Sequence, residues 1–187
     1  MPCRNPRYTP PLAVDLTEHS KTNETLFVTN VKAADILERE MDFVIHDWMD
    51  VVEKQDDLMH VSMNCDERTG HLPQLLRDVI ARLRLNVGTK TRTSIAASRH
   101  GNLRRKQGYT VPMMVEESRL LEVCLFTTLY KSAAQLDFIK LLPDVVTIVD
   151  EVDAQLKQQI VCYGSNTIYN SSESEMNRNV RSGTFLC

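Results

Sequence analysis

Apolar residues recur through the middle of this chain at the three- and four-residue spacing of one helical face. Leu37, Met41, Val44, Ile45, Trp48, Val51 and Val52 form the first such stripe. They predict a helix from about Asn30 to Gln55, with Glu38, Arg39, Glu40 and Glu53 turned to water. Leu72, Leu75, Leu76, Val79, Ile80 and Leu83 form a second stripe. Pro73 suits its first turn, where a backbone N–H has no intrahelical acceptor, and Gly88 is a plausible stop. A third, shorter helix is predicted over 92–107, with Ala96, His100, Leu103 and Gln107 as its inner stripe. Gly108 follows where a left-handed cap is wanted. Thr110 then caps a fourth helix, with Pro112, Glu116 and Glu117 in or near its first turn. Met114, Glu117, Leu121, Cys124, Leu125 and Thr128 share its inner face. A fifth helix is predicted from Pro143 to Tyr163, on the stripe Val145, Val149, Val152, Leu156 and Ile160, with Gly164 as its end. Residues 132–142 read as a short helix or a loop, and no segment alternates with period two. The expected fold is all-α: about five amphipathic helices packed as a bundle or a globin-like stack.

The flanks differ in kind. Residues 1–29 hold four prolines and few periodic apolar positions, and predict a disordered N-terminal arm. Residues 165–187 are rich in serine and asparagine and predict a disordered polar tail. The helical domain is thus expected over 30–164, long enough to bury a core without disulfides or a structural metal. Six glycines with no glycine-rich phosphate cradle argue against nucleotide-binding architectures. A net charge of −3 argues against nucleic acid as a partner of the whole chain. The local basic run Arg99, Arg104, Arg105 and Lys106 reads as a solvated helix face. No apolar run approaches a membrane span and no signal-peptide core opens the chain, so a cytoplasmic location is expected. The five cysteines are scattered without a C-x-x-C pair, as suits a reducing compartment; Cys124 and Cys162 fall in apolar helical patterns.

No Ser-His-Asp order, H-E-x-x-H or carboxylate pair with a glycine-rich loop occurs, so no enzyme activity, catalytic residue or cofactor is expected. His60, Cys65 and His71 lack zinc-ligand spacing, and no metal site is expected. The chemistry concentrates in SRHGNLRRKQGYT and the following VPMMVEESRLL. His100 and Arg104 are four apart and share a helix face. Glu117 follows one helix later, and antiparallel packing would bring it beside Arg104 or His100, where it would favour their charged forms. The cluster reads as a partly buried ion pair or as the seat of a small polar ligand. His100 is alternatively a phosphoacceptor, with Gly101 and the basic Arg104, Arg105 and Lys106 nearby, although Ala96 and Leu103 on its face imply burial. A cofactor-binding sensor is a further alternative.

His100, Arg104, Gln107, Gly108 and Tyr109, followed by Val115, Glu117, Arg119 and Leu121, resemble the recurring motif of the RsbRD N-terminal domain family. Trp48 and the Leu72-Pro73-x-Leu75-Leu76 segment look similar upstream, and Val152, Asp153, Leu156 and Tyr163 downstream. Ser118 stands where the family usually has an aromatic, and Glu122 where a basic residue is common. The resemblance implies a non-catalytic helical module of bacterial signalling and stress response, of the stressosome type. Its polar cluster would comprise His100, Arg104, Gln107, Glu117 and Arg119, with Gly108 and Tyr109 at the turn. It also implies a homodimer that docks a protein partner such as a kinase or a STAS-domain protein. Family members usually continue into such a domain, whereas only a short polar tail follows Tyr163 here, so the signal is expected to pass to another chain.

Overall fold

A stripe of apolar residues forms a helix only as far as the core can receive it, and the first stripe is received in two pieces. The structure, a computed structural model, describes residues 32–85 and 93–164, and the helical backbone alone over 165–181. Helix α1 (Ala33–Arg39) and α2 (Met41–Val52) replace the single helix expected to run on to Gln55. They part at Glu40, which leaves helical angles (φ −97°, ψ 12°) while its N–H still closes on Ile36 O at 2.9 Å. The bend lets both pieces face inward: Ile36 and Leu37 are buried on α1, and Val44, Trp48 and Val52 on α2. Asn30 and the arm at 1–29 lie outside the described residues.

Two short helices follow that periodicity does not reveal, α3 (Asp56–Met59) and α4 (Cys65–Thr69). Helix α4 is started by a capping box: Asn64 accepts from Glu67 N at 2.8 Å, and Glu67 accepts from Asn64 N at 2.9 Å. Helix α5 (Leu72–Leu83) buries Leu72, Leu75, Leu76, Val79 and Ile80, with Pro73 in its first turn as expected. Gly88 lies outside the described residues.

Helix α6 (Ile95–Lys106) starts at Ser94, whose Oγ accepts from Ala97 N at 3.0 Å. Its inner face is turned relative to the expected stripe. Ala97, His100, Gly101 and Arg104 are buried, whereas Leu103 is exposed and Ala96 and Gln107 are half-buried. The cause is Gly101, which lets α6 lie backbone against backbone on the last helix and so fixes which face points inward. Helix α7 (Val111–Lys131) is capped by Thr110 and buries all six positions expected of it. A 3-10 turn at Ala133–Gln135 leads to α8 (Phe138–Arg181), which starts before Pro143 and continues through Gly164. The buried face of α8 also departs from the apolar stripe: Ile148 and Val152 share it with Glu151, Gln155 and Gln159. Glu151 and Gln155 are tolerated there because they find partners. Gln155 Nε2 donates to Leu75 O and to Glu151 Oε1, both at 3.2 Å.

Helix α8 is the common support: α5, α6 and α7 all pack on it, while α1 and α2 close the side formed by α5 and α7. The all-α expectation holds, and no strand occurs among the described residues. None of their helices is long and apolar enough to cross a membrane.

Candidate functional site

The turn between α6 and α7 brings the polar motif together. Gly108 adopts φ +86°, the left-handed conformation glycine reaches without a Cβ clash. Tyr109 N then closes on Arg104 O at 2.9 Å and the chain reverses. Glu117, two turns into α7, comes to face α6. Arg104 Nε donates to Glu117 Oε2 at 3.0 Å, and Nη2 lies 2.9 Å from Oε1. The remaining donors of Arg104 reach Gln107 Oε1 at 2.9 Å and Arg68 O at 2.9 Å. A guanidinium wholly removed from water therefore has a partner in every direction.

The cluster extends further than the motif. Arg68 donates to the Tyr109 hydroxyl at 3.0 Å, to Leu58 O at 3.2 Å and to Val61 O at 2.8 Å. The Arg104 guanidinium sits over the Tyr109 ring, 4.6 Å from its centroid. Tyr163 closes the far side by donating to Tyr109 O at 2.8 Å. Trp48 Nε1 donates to Glu117 O at 3.1 Å. The His100 ring is 2% exposed, with Nε2 3.4 Å from Glu117 Oε2. The His71 ring stacks on it at 3.7 Å between centroids, and Trp48 meets His71 edge-on at 6.0 Å. The Nδ1 atoms of both histidines are buried with no hydrogen-bond partner.

Of the expected site residues, His100, Arg104, Gln107, Glu117, Gly108 and Tyr109 are brought together. Arg119 is not: it is exposed on the outer face of α7, paired with Glu116 at 2.6 Å. The helical period explains this, since a residue two positions past Glu117 points away from the face that Glu117 occupies. Arg119→Gln should leave the urea unfolding midpoint unchanged. Arg68, His71 and Trp48 Nε1 are members that the spacing of residues did not disclose. Only the single tryptophan carried a signal, and it read as packing.

Burial dominates the electrostatics. Desolvation holds His71 well below the ordinary histidine range, reinforced by the neighbouring His100 and Arg104. Burial also lowers His100, against the pull of Glu117. Burial alone would raise Glu117, but the hydrogen bond from His100 and the charge of Arg104 outweigh it and lower its pKa. Burial raises the Tyr109 hydroxyl, so it stays protonated at neutral pH. The unfolded chain thus binds more protons on His71 and His100 than the folded chain below about pH 6.5, the unfolded histidine value. Stability should fall as the pH drops from 6.5 toward the lowered folded values, and His71→Gln should make the fall shallower. Urea midpoints between pH 7.5 and 5.5 test this; a stability that rises on acidification would contradict the neutral, buried pair.

His71, His100 and Glu117 also carry metal-ligand chemistry, with ligand atoms within 4.8 Å of one another. The two rings are only 15° from parallel, however, and a metal must lie near the plane of each imidazole it binds. Arg104 already holds the carboxylate. An ion would require a ring to turn and Arg104 to yield. The geometry as it stands suits a hydrogen-bonded structural cluster.

Beside the ring stack, α5 and α6 diverge on the surface of α8 and leave a cleft of about 790 Å³. His71 and His100 line its inner end, and Arg82, Arg99, Asp78 and Glu151 also border it. Comparison with protein-family models, with curated proteins and with solved structures finds no match to this chain.

Proposed function

We propose that this chain is a non-catalytic sensory and docking module of a bacterial signalling system, of the kind its resemblance to the RsbRD N-terminal domain implies. The observation that carries this reading is the convergence of His100, Arg104, Gln107, Glu117 and Tyr109 into one buried, mutually bonded corner. These groups hold each other and the backbone; they are not presented to a substrate. Such a corner is a structural device that two neighbouring elements can bias, which is what a sensor requires.

Contact with a partner is supported by α8. Phe138, Leu142 and Val146 recur every four residues with Ile139 beside them, and are 69%, 54%, 69% and 81% exposed. An apolar helix face left in water marks a contact surface. A second copy of the chain is its proposed occupant, and a kinase or a STAS-domain protein is the proposed downstream partner, in the cytoplasm.

Light scattering on the purified full chain should give a dimer, and Ile139→Glu with Leu142→Glu should give a folded monomer. Binding to purified STAS-domain proteins and histidine kinases encoded beside this chain tests the signalling role. A wild-type monomer at every concentration reached, with no such partner bound, would remove the reading. The alternative, phosphate carried on His100, is disfavoured by the enclosed ring, whose Nε2 already faces Glu117. Incubation with a phosphorylated kinase should leave no acid-labile phosphate on the chain.

A further inference from the structure

We infer that the cleft between α5 and α6 binds a small amphipathic carboxylate, a molecule with an apolar body and one carboxylate head. This names the input of the sensory module and, in that sense, rests on the reading above.

The volume of about 790 Å³ lies within the range of small-molecule sites. The walls are mainly apolar. Leu85, Ile95 and Leu103 border the cleft and are 46%, 70% and 42% exposed, so three large apolar side chains are left in water around one concavity. That arrangement suits an apolar body.

The charged groups choose the head. Both acids of the cleft are already satisfied. Asp78 accepts from Ser94 Oγ at 2.6 Å and from Gln74 Nε2 at 3.1 Å. Glu151 accepts from Gln155 at 3.2 Å; burial raises its pKa, with the hydrogen bond from Gln155 and the charge of nearby Arg82 opposing the rise. The two guanidiniums have donors to spare. Arg82 Nε is buried with no hydrogen-bond partner. The ion pair of Arg82 is a long one, Nη2 to Asp150 at 3.8 Å, beyond hydrogen-bond reach. Arg99 is exposed at the border and makes no ion pair among the described residues. A buried guanidinium donor without an acceptor is costly, and a carboxylate is the group whose geometry matches it. A cationic or uncharged ligand would leave both arginines as they are.

The molecule contains its own reporter. His71 lines the cleft and Trp48, the only tryptophan, lies edge-on to it at 6.0 Å. Trp48 fluorescence and calorimetry on the full chain should be followed during titration with decanoate, decan-1-ol and decyltrimethylammonium, each below its micelle-forming concentration. Decanoate should bind saturably at one site per chain. The alcohol should bind about tenfold more weakly or less, and the cation not at all. Arg82→Gln and Arg99→Gln should each weaken decanoate about tenfold. Arg119→Gln should not change it. Arg99 is exposed, so its variant tests the idea even if Arg82→Gln impairs folding. Equal binding of all three probes, no saturable heat or fluorescence change with decanoate, or wild-type affinity in Arg99→Gln and folded Arg82→Gln would overturn the inference. Decanoate binding without any signalling partner would keep the cleft and lose the sensory role. A partner bound without decanoate binding would lose the cleft.

Discussion

Gly101→Ala is expected to unfasten α6 from α8 and to destabilise the protein by about 2 kcal/mol or more. A Cβ built at Gly101 would lie 2.1 Å from Gln159 O and 2.8 Å from its carbonyl carbon and Cα. These are backbone atoms of a helix, and none can swing aside as a side-chain tip can. The change would otherwise help, because alanine is favoured over glycine inside a helix by about 1 kcal/mol. The sign is decided by the clash: the whole of α6 must lift from α8, and His100 and Arg104 move with it. The urea midpoint should drop while the helical signal of the folded state remains. A midpoint equal to or above wild type would show that the two backbones do not touch at this position.

Glu117→Ala is expected to cost about 3–5 kcal/mol, because it leaves the Arg104 guanidinium charged, buried and short of its counterion. Gln107 and Arg68 O would still hold two of its donors, but neither carries charge. The companion test is Glu117→Leu combined with Arg104→Met. Removing both charges leaves no orphan charge, although Gln107, Arg68 O and His100 each lose a partner, and buried pairs replaced by apolar residues are often neutral or stabilising. The double variant should therefore be more stable than Glu117→Ala. If Glu117→Ala melts like wild type, the pair lies in water and is not a buried one.

Much of this was legible in the residues alone. The inner face of α7 follows from its period, and the approach of Glu117 to Arg104 and His100 follows from a four-residue spacing and a short glycine turn. The orientation of α6 did not follow from hydrophobicity, because its buried face is Ala97, His100, Gly101 and Arg104, which contains no large apolar side chain. The face of α8 was obscured for a related reason: Gln155 is received by Leu75 O on α5, Glu151 by Gln155, and Gln159 lies where Gly101 brings the two backbones together. Apolar period reports transfer from water; it is silent where a glycine contact or a hydrogen bond sets the packing. His71 was missed because nothing in its neighbourhood signals that α5 begins opposite His100.

Helix α4 carries a consequence of its own. Five residues cannot sustain a helix unaided, since nucleation is unfavourable and so few turns recover little of it. What keeps this segment in place is its capping box and two buried side chains: Leu58 of α3 in the hydrophobic core, and Arg68, which grips Tyr109 while Arg68 O receives Arg104. The stretch from Asp56 to Gly70 is thus a latch over the corner, fastened to the rest of the molecule mainly through Leu58 and Arg68. Its amides should exchange with solvent sooner than those of α7, and each excursion would uncover Arg104 for an instant.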